Sequence, residues 1–205
     1  MGAIRTLSEI YFQEVRDDVT DVNGKLRARV MQALSAMIRS HDMAEQVFCQ
    51  TEQAVALLES GLGLTREEPT VLCQRSLFLL RALLTSDSSD RERIQQFAPC
   101  LVFTVDNFAR ASANDELREL ALGLVHQILE QGKSANAILA RKNDLVSRAV
   151  ERVATLRAPS GDEKDYASVE LEQWESILVL LARATPDSAG PPLMLPPSTT
   201  PSMPQ

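Results

Sequence analysis

Three stretches of the chain share one texture. "RARVMQALSAMIRSHDMAEQVF", "QRSLFLLRALLTSDSSDRERI" and "LRELALGLVHQILEQGKSANAIL" each read as a long amphipathic helix, a short polar break and a few further helical residues. With Ile38, Leu84 and Leu129 taken as equivalent points, the offsets are 46 and 45 residues, inside the period range of helical repeat arrays. A unit of this size cannot bury its own apolar stripe. The recurrence therefore constrains the chain to a stack in which neighbouring units cover one another.

The periodicity inside each unit agrees. Val30, Ala33, Leu34 and Met37 fall at i, i+3, i+4 and i+7, and Leu117, Leu120, Ala121, Leu124, Val125 and Ile128 do so over three turns. Second helices are expected at roughly 52–62, 98–111 and 143–157, with apolar positions at Ala54, Leu57 and Leu58 and at Val146, Ala149, Val150 and Val153. Leu77, Phe78, Leu79 and Leu80 are apolar without a break, which suits the helix of a middle unit covered from both sides. Each leucine buried there contributes ~1.5–3 kcal/mol, more than intrinsic propensity gives a short helix.

Turn and capping residues fall between the helices, at Asp87 to Asp90, Ser112 to Asp115 and Gln131 to Ser134. Ser160, Gly161 and Asp162 precede a last helix whose stripe is Leu171, Trp174, Leu178 and Leu181, the pattern of a terminal cap. Pro69, Pro99 and Pro159 sit at expected helix ends, while the other prolines crowd into residues 186–205, a tail too polar and too proline-rich to build a core. Aromatics at 4% and eight glycines also fit poorly with an all-β design. The expectation is an all-α, armadillo-like helical solenoid of about three repeats over residues 1–185, ending in a C-terminal capping helix and a disordered tail.

Charge and chemistry narrow the function. With 21 basic and 28 acidic residues the net charge is −7, which disfavours nucleic acid as a partner. No apolar run approaches the ~18–20 residues that cross a bilayer. Cys49, Cys73 and Cys100 are odd in number, widely spaced and set among apolar neighbours, as reduced core cysteines of a cytoplasmic protein are. His41 and His126 have no metal-spaced companions, and Cys73 has neither a CxxC mate nor a nearby histidine. "SGLGL" at 60–64 lacks the third glycine and lysine of a phosphate cradle and reads as a helix stop. The acidic pairs Glu67 with Glu68 and Glu170 with Glu172 read as residues of helix starts or exposed faces. No enzyme active site and no cofactor site are expected. The functional candidates are polar or small residues on the free side of the long helices.

"LRARVMQALSAMIRSHDMAEQVF", "QRSLFLLRALL" and "LEQWESILVLLARATPD" resemble the armadillo-type domain of the cytosolic binding-protein family of the 70-kilodalton heat-shock chaperones, which are nucleotide-exchange factors. The likeness runs from about Gly2 to Asp187. It implies a monomeric co-chaperone, without cofactor, whose concave face grips the chaperone's nucleotide-binding domain and promotes ADP release. Carried over by position, the partner-binding row is Arg29, Gln32 and Ala36, then Arg75, Phe78 and Ala82, then Glu119, Gly123 and Gln127. Ala82 departs from the family's usual asparagine and Gln53 from a frequent glycine. "MGAIRTLSEIYFQ" resembles the last helix of an internal unit, which implies that the family's first repeats are absent. The alternative is an armadillo-like interaction scaffold without exchange activity. The row Ala36, Ala82 and Gln127 lacks the asparagine ladder of grooves that hold extended peptides.

Overall fold

A computed structural model describes residues 2–17, 24–110, 114–132, 136–157 and 163–184. Among them the regular structure is entirely helical: α1 (Gly2–Asp17), α2 (Lys25–Ser40), α3 (Asp42–Cys49), α4 (Ala54–Leu62), α5 (Thr70–Thr85), α6 (Arg91–Gln96), α7 (Ala98–Phe103) running into a π-helical turn (Thr104–Ala109), α8 (Asp115–Glu130), α9 (Asn136–Leu139), α10 (Lys142–Arg157) and α11 (Glu163–Arg183). Helices α2, α5 and α8 each have 16 residues and begin at Lys25, Thr70 and Asp115, a constant step of 45. That is one residue less than the offset between Ile38 and Leu84.

The long helices lean on one another in chain order: α1 on α2, α2 on α5, α5 on α8 and α8 on α11. Behind them α4 packs on α5, the π-helical turn on α8, and α10 on α11. The buried apolar side chains form one contiguous cluster. Its middle is α5, which buries Leu72, Leu77, Leu79, Leu80, Leu83 and Leu84, so the uninterrupted apolar run is accounted for by neighbours on several sides. Phe78 alone breaks out of that run, at 37% exposed.

Local signals behave as the backbone requires. Asp90 and Asn114 cap α6 and α8, accepting from the N–H groups of Arg93 at 2.9 Å and Leu117 at 3.0 Å. Gly63 takes φ 92°. Leu64 N–H then donates to Glu59 O at 2.9 Å and Gly63 N–H to Ser60 O at 3.1 Å, a Schellman closure of α4. "SGLGL" is thus a helix stop. Two residues earlier, a Cβ on Gly61 would lie 2.3 Å from Ser76 Oγ and 2.4 Å from Met31 Cε, so glycine lets α4 seat closely on α5 and α2.

Several expectations need correction. Of the two acidic pairs, Glu67 and Glu172 are exposed as expected and Glu68 stands at the start of α5, but the side chains of Glu68 and Glu170 are buried. The Glu68 side chain is 1% exposed and accepts from Arg27 and Arg66, each at 2.8 Å. Glu170 is 4% exposed and receives both Arg118 and Arg152 in fork fashion, at 2.8 to 3.0 Å, with Trp174 Nε1 at 3.2 Å. Burial opposes its ionisation, but the bonds from Arg152 and Arg118 outweigh that and hold the carboxyl down at about 2. Val150 is exposed, and α10 instead buries Leu145, Ala149 and Val153. In α11 the buried stripe is Trp174, Ile177 and Leu181, with Leu171 and Leu178 at its edge. The expectations for Ser112, Ser134, Pro159, Ser160 to Asp162 and the tail at 186–205 lie outside the described residues.

Candidate functional site

The free sides of α2, α5, α8 and α11 border three successive hollows. Gln32, Ser35, Arg39, Arg75 and Phe78 line the first, of about 130 Å³, between α2 and α5. Arg39, Phe78, Arg81, Ala82, Thr85 and Gln127 are among the residues of the second, about 420 Å³, where α8 joins them. The third, about 510 Å³, opens between α5, α8 and α11 and includes Arg81, Glu116, Glu119, Gly123, Gln127 and Gln173. Arg39 and Phe78 border both the first and the second hollow, and Arg81 and Gln127 both the second and the third. The hollows are segments of one groove.

Seven of the nine residues expected from sequence line this groove: Gln32, Arg75, Phe78, Ala82, Glu119, Gly123 and Gln127. Arg29 and Ala36 are exposed on α2 but border none of the hollows. Arg39, Arg81, His126 and Gln173 were not anticipated. Arg39 follows Gln32 by seven residues and so shares its face, a signal available in the helical period. Arg81 Nε donates to Gln127 Oε1 at 3.0 Å across two helices, and Gln173 comes from the helix taken as a cap. No pattern within one helix reveals either.

The groove is polarised. Arg39, Arg75 and Arg81 stand on α2 and α5 and Glu116, Glu119 and Glu130 on α8, while Asp42 and Glu45 of α3 border the second hollow, Glu45 being held by Arg93. His126 lies on the acidic side, with Nε2 and Ser176 Oγ sharing a hydrogen bond of 2.7 Å and Nδ1 3.9 Å from Glu130. The floor under Arg81 is Gly123, where a Cβ would find Arg81 Nη1 at 3.6 Å, an ordinary contact.

Nucleophilic chemistry finds little support in this arrangement. Burial pushes the Cys49 and Cys73 thiols up to about 11 and that of Cys100 to about 12, so none is a ready thiolate. Among the described residues no three His, Cys, Asp or Glu side chains gather where a metal ion could be held. No helix among them is long and apolar enough to cross a membrane. What the groove offers is shape, hydrogen-bonding groups and two zones of opposite charge.

Comparison of the chain with family models, with curated proteins and with solved structures gives no match.

Proposed function

We propose that this protein is a co-chaperone of the 70-kilodalton heat-shock chaperone, whose nucleotide-binding domain docks in the groove and releases ADP. One observation carries the reading. Three helices of equal length, 45 residues apart, lean on one another in chain order, and residues of all three line one groove. That order is what an armadillo-like array of about three repeats requires, with α11 as the closing helix. Seven of the nine residues picked out by resemblance to the exchange-factor family line that groove.

No bond is made or broken under this reading. The protein accelerates release because it binds the open, nucleotide-poor form of the chaperone more tightly than the closed one, and the population follows that difference. A tenfold preference corresponds to about 1.4 kcal/mol, within reach of a few well-placed groove contacts. The protein acts as a monomer in the cytoplasm.

The test is release of a fluorescent ADP analogue from purified chaperone. Saturating protein raises the release rate about tenfold or more, and Phe78→Glu, which puts a charge where the first and second hollows meet, returns the rate toward the basal value. An unchanged rate at saturation with binding intact removes the exchange activity and leaves an interaction scaffold.

A further inference from the structure

We propose that the first hollow, bounded by Gln32, Ser35, Arg39, Arg75 and Phe78, is a carboxylate-binding subsite that receives an aspartate or glutamate side chain of the protein docked in the groove. The inference rests on the groove being the docking surface proposed above.

Two arginines from different helices line this one hollow, and neither forms an ion pair among the described residues. Several buried or half-buried arginines do: Arg27, Arg93, Arg118, Arg141 and Arg152 each meet a carboxylate. In a chain with seven more acidic than basic residues, two guanidinium groups left together on one hollow form a locally positive site. Their mutual repulsion falls when an anion enters between them.

The floor of the hollow gives an independent sign. Ser35 is 2% exposed, yet its hydroxyl has no hydrogen-bond partner. Two other buried helical serines satisfy theirs by bonding back one turn, Ser8 to Ile4 O at 3.0 Å and Ser76 to Leu72 O at 2.8 Å, and a third, Ser60, meets the Tyr11 hydroxyl at 3.2 Å. Ser35 keeps a donor unspent beside the two arginines. Arg39 Nε donates to Ser35 O at 3.3 Å, which holds the guanidinium close to α2 where it borders the hollow. Gln32 supplies a further amide donor at the rim.

Size and field select the occupant. At about 130 Å³ the hollow has room for a carboxylate head group. The acidic zone of α8 then sets orientation: a partner that inserts an acid between Arg39 and Arg75 must place basic or neutral groups over Glu116 and Glu119. The reversed pose sets like charges against each other.

Two measurements test this, both on the full chain. In the first, amide resonances are followed while the protein is titrated with N-acetyl-aspartate methylamide, its asparagine analogue, or inorganic phosphate. The aspartate compound shifts Ser35, Arg39 and Arg75 saturably, the asparagine analogue does not, and Arg39→Glu with Arg75→Glu abolishes the shift. Absence of a saturable shift with the aspartate compound, or a response to phosphate alone, overturns the proposal. In the second, affinity for the isolated nucleotide-binding domain falls about tenfold or more in that double variant and less than about threefold in Arg183→Glu, an exposed charge of α11 that borders none of the hollows. Equal losses in both indicate a general field and overturn the subsite while leaving the docking function intact. Failure of the wild-type protein to bind the domain removes that function, and the titration then decides the subsite alone. Unchanged thermal melting of the variants, whose substituted side chains stand at the surface, excludes unfolding as the cause of a loss.

Discussion

Two glycines inside helices show how much depends on what surrounds a single carbon. At Gly61 an added Cβ would lie 2.3 Å from Ser76 Oγ and 2.4 Å from Met31 Cε, so Gly61→Ala forces α4 away from α5 and lowers stability by roughly 1–3 kcal/mol in urea unfolding. At Gly123 the nearest atoms stand at 3.6 and 3.9 Å. There Gly123→Ala raises stability by about 0.5–1 kcal/mol, because it removes the entropic cost of a glycine within a helix without a clash. Glu170 is the other decisive residue. Its folded-state carboxyl is held at about 2 against an ordinary 4.5, so its contribution, on the order of 3 kcal/mol, is complete above pH 4.5 and vanishes as pH falls through about 2. Glu170→Gln leaves the buried Arg118 short of its countercharge and costs roughly 3–5 kcal/mol at neutral pH. The same substitution flattens the acid side of the stability profile between those two values. Neither Glu68 nor Glu170 announced its burial in the sequence. Each pairs with an arginine more than forty residues away, Arg27 and Arg118, and an isolated acidic residue next to another reads as solvated surface.

The helices themselves were largely legible. Apolar spacing located α2, α5, α8 and α10, because a stripe repeated every 3.6 residues over four turns has no other economical use, and a polar break located the start of α8. The stripes were less well placed than the helices. Of the expected face Val30, Ala33, Leu34 and Met37, Val30 and Leu34 are buried and Ala33 and Met37 are half-buried, while Met31 and Ile38 extend the buried line on its other edge. Neighbours decide which edge of a broad apolar arc turns inward. The π-helical turn left no sequence signal; it inserts a register change before α8, with Arg110 N–H donating to Val105 O at 3.1 Å. Capping is testable at this level. Asn114→Ala removes the side-chain acceptor from Leu117 N–H and lowers the melting stability by about 1 kcal/mol, with the loss concentrated in slower-protected amides of the first turn of α8.

Across the molecule, packing in chain order makes perturbation local. α11 touches α8 and α10, so Glu170→Gln accelerates hydrogen exchange in α8, α10 and α11 and leaves the amides of α2 and α4 near their wild-type rates. Uniform acceleration in every helix contradicts that locality. The groove was legible in outline because its lining lies on the polar faces opposite the stripes. Its contacts between helices, such as Arg81 with Gln127, were not, since they join residues 46 apart that only folding brings together. Trp174, the sole tryptophan, is fully buried in α11 with its Nε1 on Glu170, while all three thiols belong to α3, α5 and α7. Nature has thereby installed two reporters at separate stations along one chain: indole emission times the departure of the final helix, and alkylation of the sulfurs times the opening of the earlier ones. Synchronous traces denote a single cooperative transition; a glow that changes before the sulfurs react denotes unzipping that begins at the tryptophan end.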